Sequence, residues 1–214
     1  QARTRFNEAN DSHYYLVPGV IVTIMTMIGA LLTSLVMARE YERGTLESLF
    51  VTPVGSGEIL TAKAATNFLL GMVSLAISMV FAAFVFDIPI RGSLLLLLAV
   101  SALFLIVALG LGLVISTATK NQFLACQFAI MGTFMPALML SGFLYDILNM
   151  PPAVRAVTYL IPARYYVTLL QTLFLAGDIP SVIIPCCITL GVFAVVLMSI
   201  ARLKAPKSLS LIHI

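Results

Sequence analysis

Charged residues are scarce in this sequence, and their scarcity limits the class of protein that it encodes. Only 10% of the 214 residues are Asp, Glu, Lys or Arg, whereas 61% are hydrophobic and the mean hydropathy is +1.08. A soluble domain has about 25% charged residues, which it needs to cover a water-facing surface. The net charge of +3 includes no Lys/Arg run of the kind that binds nucleic acid. The composition therefore indicates a membrane protein without a nucleic-acid partner.

Residues that hold metals or carry acid–base chemistry are equally scarce. The three cysteines, Cys126, Cys186 and Cys187, lie in apolar stretches without metal-ligand spacing, so we interpret them as packing residues. The two histidines, His13 and His213, lie near the two ends of the chain. No G-x-x-x-x-G-K-[ST] sequence is present for binding a nucleotide. We expect no metal, no catalytic residue and no directly bound cofactor. If the protein moves a solute uphill, a partner subunit is the natural source of the energy.

Five long apolar stretches account for most of the chain. A membrane-spanning helix needs roughly 20 apolar residues, and the stretches that qualify are Val17–Met37, Ala65–Phe86, Ser93–Ile115, Phe123–Leu144 and Val182–Ala201. None contains Asp, Glu, Lys, Arg or His. A backbone in lipid must satisfy its own hydrogen bonds, which favours helices, and the alternating segments of a β-barrel are absent from these stretches. The sequence predicts an all-α, polytopic transmembrane helix bundle in the lipid bilayer.

The distribution of basic residues predicts the orientation of the bundle. If Ala38–Ala64, the turn at Lys120 and the C-terminal tail are cytoplasmic, seven of the twelve Lys and Arg residues lie inside and five outside. Basic residues favour the cytoplasmic side of a membrane. The first residue is then outside without a signal peptide before it. We therefore expect the chain to be an N-terminally truncated piece of a longer protein.

The long connection Tyr145–Ser181 is expected to face outside. Three prolines interrupt it, and its apolar pieces Ala153–Ile161 and Tyr165–Ala176 are too short to span a bilayer. Such pieces are typical of interfacial or re-entrant helices. An ordinary outer loop is the alternative.

The charged segment after the first stretch has the pattern of a short amphipathic helix. Thr45 is a plausible N-cap, with Glu47 favourable in the first turn. The helix would end before Pro53, because the residue preceding a proline disfavours the α conformation. Its apolar positions share one face: they are Leu46, Leu49 and Phe50. A solvated loop on the headgroups fits this pattern equally well.

The same segment resembles a family signature. Residues 39–53 read R-E-Y-E-R-G-T-L-E-S-L-F-V-T-P, which is similar to the E-R-G-T-x-E-x-L-x-x-x-P signature of ABC-2 type transporter permeases. These are the membrane subunits of a class of ATP-binding-cassette exporters. Glu58–Lys63 and Ser141–Phe143 also resemble the family pattern, and the resemblance extends from Tyr14 to about Lys204.

The resemblance implies an architecture and a domain organisation. The fold would be that of an ABC-2, type V exporter-like permease, with five spans present of a probable six. Residues 1–16 would end an external periplasmic domain, and residues 17–204 would form the transmembrane permease domain. That domain would contain a cytoplasmic coupling helix at about 44–53 and short external helices at about 152–177. Residues 205–214 would be a cytoplasmic tail.

The resemblance also implies a function and partners. The chain would be the permease subunit of an exporter in the bacterial inner membrane that moves a hydrophobic or amphipathic, drug-like or lipid-like, substrate. A separate ABC ATPase subunit would bind ATP and Mg²⁺, and a second permease would complete a homo- or heterodimer. The residues implied to couple the ATPase to the membrane are Arg39, Glu40, Glu42, Arg43, Gly44, Thr45, Leu46, Glu47, Leu49 and Phe50. Of these, Glu42, Arg43 and Glu47 are expected to pair with ATPase side chains.

Polar residues at membrane depth are candidates for a translocation path, and they are Thr23, Thr26, Thr33, Gln127 and Thr133. Threonine and small residues are also common where helices pack, so a packing role is the stronger alternative for the first-span threonines. Three other functions remain open. A secondary transporter would carry intramembrane charges or repeats, an enzyme would need catalytic groups at membrane depth, and a non-transporting scaffold or assembly factor would reuse the fold.

Overall fold

The structure, a computed structural model, describes residues 13–43, 56–86, 88, 91–145 and 147–204. Within these ranges every regular element is a helix, so the predicted all-α fold is confirmed. The α-helices are α1 His13–Thr26, α2 Thr33–Glu42, α3 Ser56–Phe84, α4 Leu94–Thr119, α5 Gln122–Ala129, α6 Met135–Leu140, α7 Pro152–Thr158, α8 Pro162–Gln171 and α9 Pro180–Lys204. Segments of π-helix cover Met27–Leu32, Ile130–Phe134 and Thr172–Ala176, and a 3₁₀ turn covers Ile147–Asn149.

Five helical segments in the described ranges are long and apolar enough to cross a membrane. They are span 1 (Leu16–Glu42), span 2 (Thr61–Phe84), span 3 (Leu94–Thr119), span 4 (Gln122–Leu140) and span 5 (Pro180–Leu203). All ten limits differ from the predicted ones, by one to five residues, and two of the larger differences have a local cause. Span 1 continues past Met37 to Glu42, because polar contacts described below hold its last turns against neighbouring helices. Span 4 ends at Leu140 and not at Leu144, because Gly142 adopts a φ of +89° that a helix does not allow.

Span 3 is the centre of the bundle, and it packs against spans 1, 2 and 5. Its contact with span 1 depends on glycine. A Cβ atom at Gly112 would lie 2.6 Å from the carbonyl oxygen of Ala30, and a Cβ atom at Gly29 would lie 2.4 Å from the Cβ of Ala108. The backbones of spans 1 and 3 therefore approach too closely for any side chain at either glycine.

Span 4 changes helical type just before its proline. Pro136 cannot donate a backbone hydrogen bond, and its ring crowds the carbonyl four residues earlier, that of Gly132. The π segment Ile130–Phe134 contains that carbonyl and ends two residues before the proline. The wider π turn accommodates the proline while the helix continues from Gln122 to Leu140.

A small buried cluster shows which ends of the spans meet. Met37, Ala64, Leu113 and Ala201 belong to spans 1, 2, 3 and 5, and they pack together near one end of the bundle. Span 1 ends and span 2 begins at this end, which we call the charged end because acidic and basic side chains surround it. The opposite end carries the connection between spans 2 and 3 and the helices α7 and α8.

The helix α8 is part of the core and does not lie free at the opposite end. It packs against α1, α4, α6 and α9, and Tyr166 is fully buried on it. The Tyr166 hydroxyl donates a 2.8 Å hydrogen bond to Ser101 Oγ, and the ring stacks on Phe104 with centroids 4.1 Å apart. Burial raises the pKa of Tyr166 above its usual value, which keeps this donor protonated.

The connection before span 3 is tied to the segment that follows α8. The amide of Gly92 donates to the Leu173 carbonyl over 2.8 Å, and the amide of Ser93 donates to Asp178 Oδ1 over 3.0 Å. Both bonds satisfy backbone groups next to the start of span 3. The opposite end of the bundle is therefore held by main-chain contacts as well as by apolar packing.

Candidate coupling site at the charged end

The helix α2 forms the end of span 1 and carries the first part of the family signature. It ends at Glu42, and the Arg43 amide closes its last turn by donating to the Arg39 carbonyl over 3.0 Å. Arg39 and Arg43 are exposed. The other residues predicted to couple the ATPase lie outside the described residues, and they are Gly44, Thr45, Leu46, Glu47, Leu49 and Phe50.

An ion pair links the last turns of span 1 to the start of span 2. Lys63 Nζ, in the first turn of span 2, donates to Glu40 Oε1. The two side chains are 30% and 22% exposed, so water screens the pair less than it screens a fully exposed one. Span 1 ends at Glu42, and span 2 begins at Thr61. The ion pair therefore links the end of span 1 to the start of span 2.

A second polar contact links span 1 to span 4. Glu42 Oε2 accepts a 2.9 Å hydrogen bond from the backbone amide of Gln122, the first residue of span 4. Asn121 is the N-cap of that helix, and its Oδ1 accepts from the Leu124 amide over 3.1 Å. The first amides of a helix have no partner within the helix, and the positive end of its dipole favours a carboxylate. Glu42 thus completes the cap of a helix that lies 80 positions away in sequence.

A third polar contact lies deeper, among the spans. Asn67 Nδ2, on span 2, donates to Thr33 Oγ1 on span 1 over 3.0 Å, and both residues are buried. Asn67 is not among the residues predicted from sequence, because it is not ionisable. Its side-chain amide lies inside an apolar stretch, where a polar group needs a hydrogen-bond partner. That position could have predicted a contact with another span.

The structure places the candidate path residues in different environments. Thr26 and Thr133 are buried, and each hydroxyl donates to the carbonyl four residues earlier in its own helix, over 2.8 and 2.6 Å. Thr23 does the same over 2.9 Å. Gln127, on span 4, is exposed. A path along these residues stays a prediction, and the buried threonines occupy packing positions in this chain.

Among the described residues, no three His, Cys, Asp or Glu side chains lie close enough together to hold a metal ion. The polar groups at the charged end instead hold helices to one another. Exposed Arg39 and Arg43 can contact another protein. The contacts of Glu40 and Glu42 link span 1 to spans 2 and 4.

Comparison with known proteins identifies the class. The family model for "ABC-2 type transporter" matches residues 2–175. The chain belongs to the ABC-2 type transporter family, as its signature resemblance predicted, and it is a multi-pass membrane protein.

The curated relatives include three transport proteins of Escherichia coli strain K12. The chain is 47% identical to "Probable multidrug ABC transporter permease YbhS" over 209 residues, which cover 98% of this chain and 55% of that protein. It is 31% identical to "Probable multidrug ABC transporter permease YbhR" over 176 residues, covering 81% of this chain and 47% of that protein. It is 28% identical to "Inner membrane transport permease YhhJ" over 210 residues, covering 98% and 56%. The chain spans about half the length of the curated relatives it matches.

Proposed function

We propose that this chain is the transmembrane permease part of an ATP-driven ABC exporter in a bacterial inner membrane. The observation that carries the proposal is the 47% identity, over almost the whole chain, to a protein named as a probable multidrug ABC transporter permease. A separate ATPase subunit binds ATP and Mg²⁺, as the resemblance to permease subunits implies. The substrate is a hydrophobic or amphipathic compound, and a second permease completes the transporter.

The arrangement at the charged end supports this proposal. The signature begins on α2 at the charged end, where exposed Arg39 and Arg43 are available to an acidic surface of an ATPase. The charged end faces the cytoplasm, consistent with the excess of basic residues on that side. Docking there places the ATPase next to the end of span 1 and the start of span 2. Movement of the ATPase then displaces spans 1 and 2 together, because the ion pair between Glu40 and Lys63 links them.

The apolar parts of the spans favour an external energy source. Ionisable side chains at membrane depth mark the proton and ion sites of self-powered transporters. In the sequence, the five apolar stretches contain none. A secondary transporter working alone would lack the groups that usually bind its coupling ion, which leaves ATP hydrolysis by a partner as the better-supported source. A scaffold role remains the second candidate, since a family fold can serve without transport.

The decisive experiment reconstitutes the full-length protein with its ATPase. The two are co-expressed, purified together and placed in proteoliposomes, and hydrophobic dyes and fluorescent short-chain phospholipids are screened for stimulation of ATP hydrolysis. We expect co-purification, stimulated hydrolysis and ATP-dependent movement of at least one probe. An ATPase variant without its P-loop lysine is the control and should abolish movement. Movement without any ATPase would identify a secondary transporter, and a stable complex that moves no probe would favour a scaffold.

A further inference from the structure

We infer that Glu42 is a positioning residue that ties the last turn of span 1 to the first turn of span 4, and does not bind the ATPase. The inference rests on the proposed function, because it concerns how movement at the charged end reaches the rest of the bundle. It replaces the expectation that Glu42 pairs with a basic side chain of the ATPase.

The geometry of the carboxylate supports the inference. Glu42 Oε2 lies 2.9 Å from the Gln122 amide nitrogen, and no helical partner competes for that amide at the start of span 4. The carboxylate also lies at the positive end of the span 4 helix dipole, where a negative charge is favoured. Asn121 caps the Leu124 amide beside it, so two side chains share the capping of this helix and only one of them comes from span 1.

The turn before span 4 extends the link to span 3. Span 3 ends at Thr119 and span 4 begins at Gln122, so only Lys120 and Asn121 separate the two helices. The Lys120 amide donates to the Ser116 carbonyl over 2.9 Å. A connection this short and internally bonded allows little independent movement. Displacement of the start of span 4 therefore also displaces the end of span 3, the central helix of the bundle.

Glu40 and Glu42, both near the end of span 1, contact two different spans. Glu40 binds Lys63 and holds span 2, and Glu42 binds the Gln122 amide and holds span 4. The family signature starts at Glu42, whose carboxylate accepts the Gln122 amide hydrogen bond although its side chain, like that of Arg43 beside it, is exposed. Movement of the segment after span 1 is thereby distributed to spans 2, 3 and 4.

Two substitutions of Glu42 should have different effects if its carboxylate caps span 4, and the same effect if it forms an ion pair with the ATPase. Glutamine keeps a side-chain oxygen that accepts from the Gln122 amide, whereas alanine keeps none. If Glu42 caps span 4, Glu42→Gln should retain most of the coupling and Glu42→Ala should lose it. If Glu42 instead pairs with a basic ATPase residue, both variants lose the charge and should fail alike. Arg202→Gln, at an exposed position on the same end of span 5, is the matched control.

The first measurement needs no ATPase. Hydrogen exchange is followed by mass spectrometry on the purified full-length protein, in a peptide that covers Lys120–Ala125. Loss of a capping contact should speed exchange of the first-turn amides about fivefold in Glu42→Ala, and Glu42→Gln and Arg202→Gln should stay close to the wild type. An unchanged exchange rate in Glu42→Ala, with the protein still folded by circular dichroism, would overturn the inference.

The second measurement tests the functional consequence in proteoliposomes with the ATPase, using ethidium as the transported probe. Glu42→Ala should bind the ATPase and hydrolyse ATP, yet move at least about fivefold less ethidium per ATP. Equal losses in Glu42→Gln and Glu42→Ala would overturn the inference. A wild type that neither binds an ATPase nor moves ethidium with ATP would instead contradict the proposed function, and the exchange measurement would still decide whether Glu42 caps span 4.

Discussion

Replacing Gly112 with alanine tests the close contact between spans 1 and 3. The added Cβ would lie 2.6 Å from the Ala30 carbonyl oxygen, 2.9 Å from Thr33 Cβ and 3.1 Å from the Ser34 amide nitrogen. Two of these three atoms belong to the backbone of span 1, so no side chain can rotate away to relieve them. Overpacking of this kind costs about 1–3 kcal/mol, and the higher helix propensity of alanine offsets up to about 1 kcal/mol of it. We expect Gly112→Ala to lower the free energy of unfolding by about 1–2 kcal/mol.

The assay is reversible unfolding of the purified protein in mixed micelles by titration with sodium dodecyl sulfate, followed by circular dichroism. Gly191→Ala on span 5 is the matched control, because a Cβ atom there has no other heavy atom within 4 Å. The control should leave stability unchanged or raise it by up to about 1 kcal/mol. The reasoning would be refuted if Gly112→Ala were as stable as the wild type or as the control.

Two further substitutions test other contacts by the same unfolding assay. Tyr166→Phe keeps the ring stacked in the core but removes the hydrogen bond to Ser101, so it should cost about 0.5–1.5 kcal/mol; no loss would show that this bond adds nothing to the packing of α8. Lys120 has a φ of +50°, which strains any residue with a side chain, so Lys120→Gly should stabilise the protein by about 0.5–1 kcal/mol. Ala118→Gly, two residues earlier and inside span 3, should destabilise the protein by a similar amount. The same sign for both substitutions would contradict the assignment of strain to the turn.

The membrane-spanning helices could be predicted from sequence because lipid leaves the backbone few choices. An apolar stretch of sufficient length must satisfy its own hydrogen bonds, and only a helix does so within one segment. The predicted limits of the spans were wrong by one to five residues, and the ends of spans 1 and 4 show why. Composition marks where apolar residues stop, whereas Glu42 ends span 1 where polar contacts end, and Gly142 follows span 4 in a conformation that composition does not reveal.

The candidate site was predictable in position but not in detail. The signature from Arg39 to Pro53 marked the segment after span 1 as the functional one, and family membership agrees with it. Sequence spacing relates residues only along one helix, so it paired neither Glu40 with Lys63 nor Asn67 with Thr33. Those pairs depend on how spans 1 and 2 face each other, which the arrangement of the whole bundle decides.

The sequence by itself determined that this protein crosses a membrane, about where its helices lie, and that its charged groups gather outside the apolar stretches. Hydrophobicity and backbone hydrogen bonding act locally, so a linear reading is enough for these properties. Only the tertiary structure decided that α8 is buried, that Gly112 touches the backbone of span 1, and that Glu42 binds the first amide of span 4. Each of these contacts joins residues from different helices, and their geometry exists only after the helices have packed.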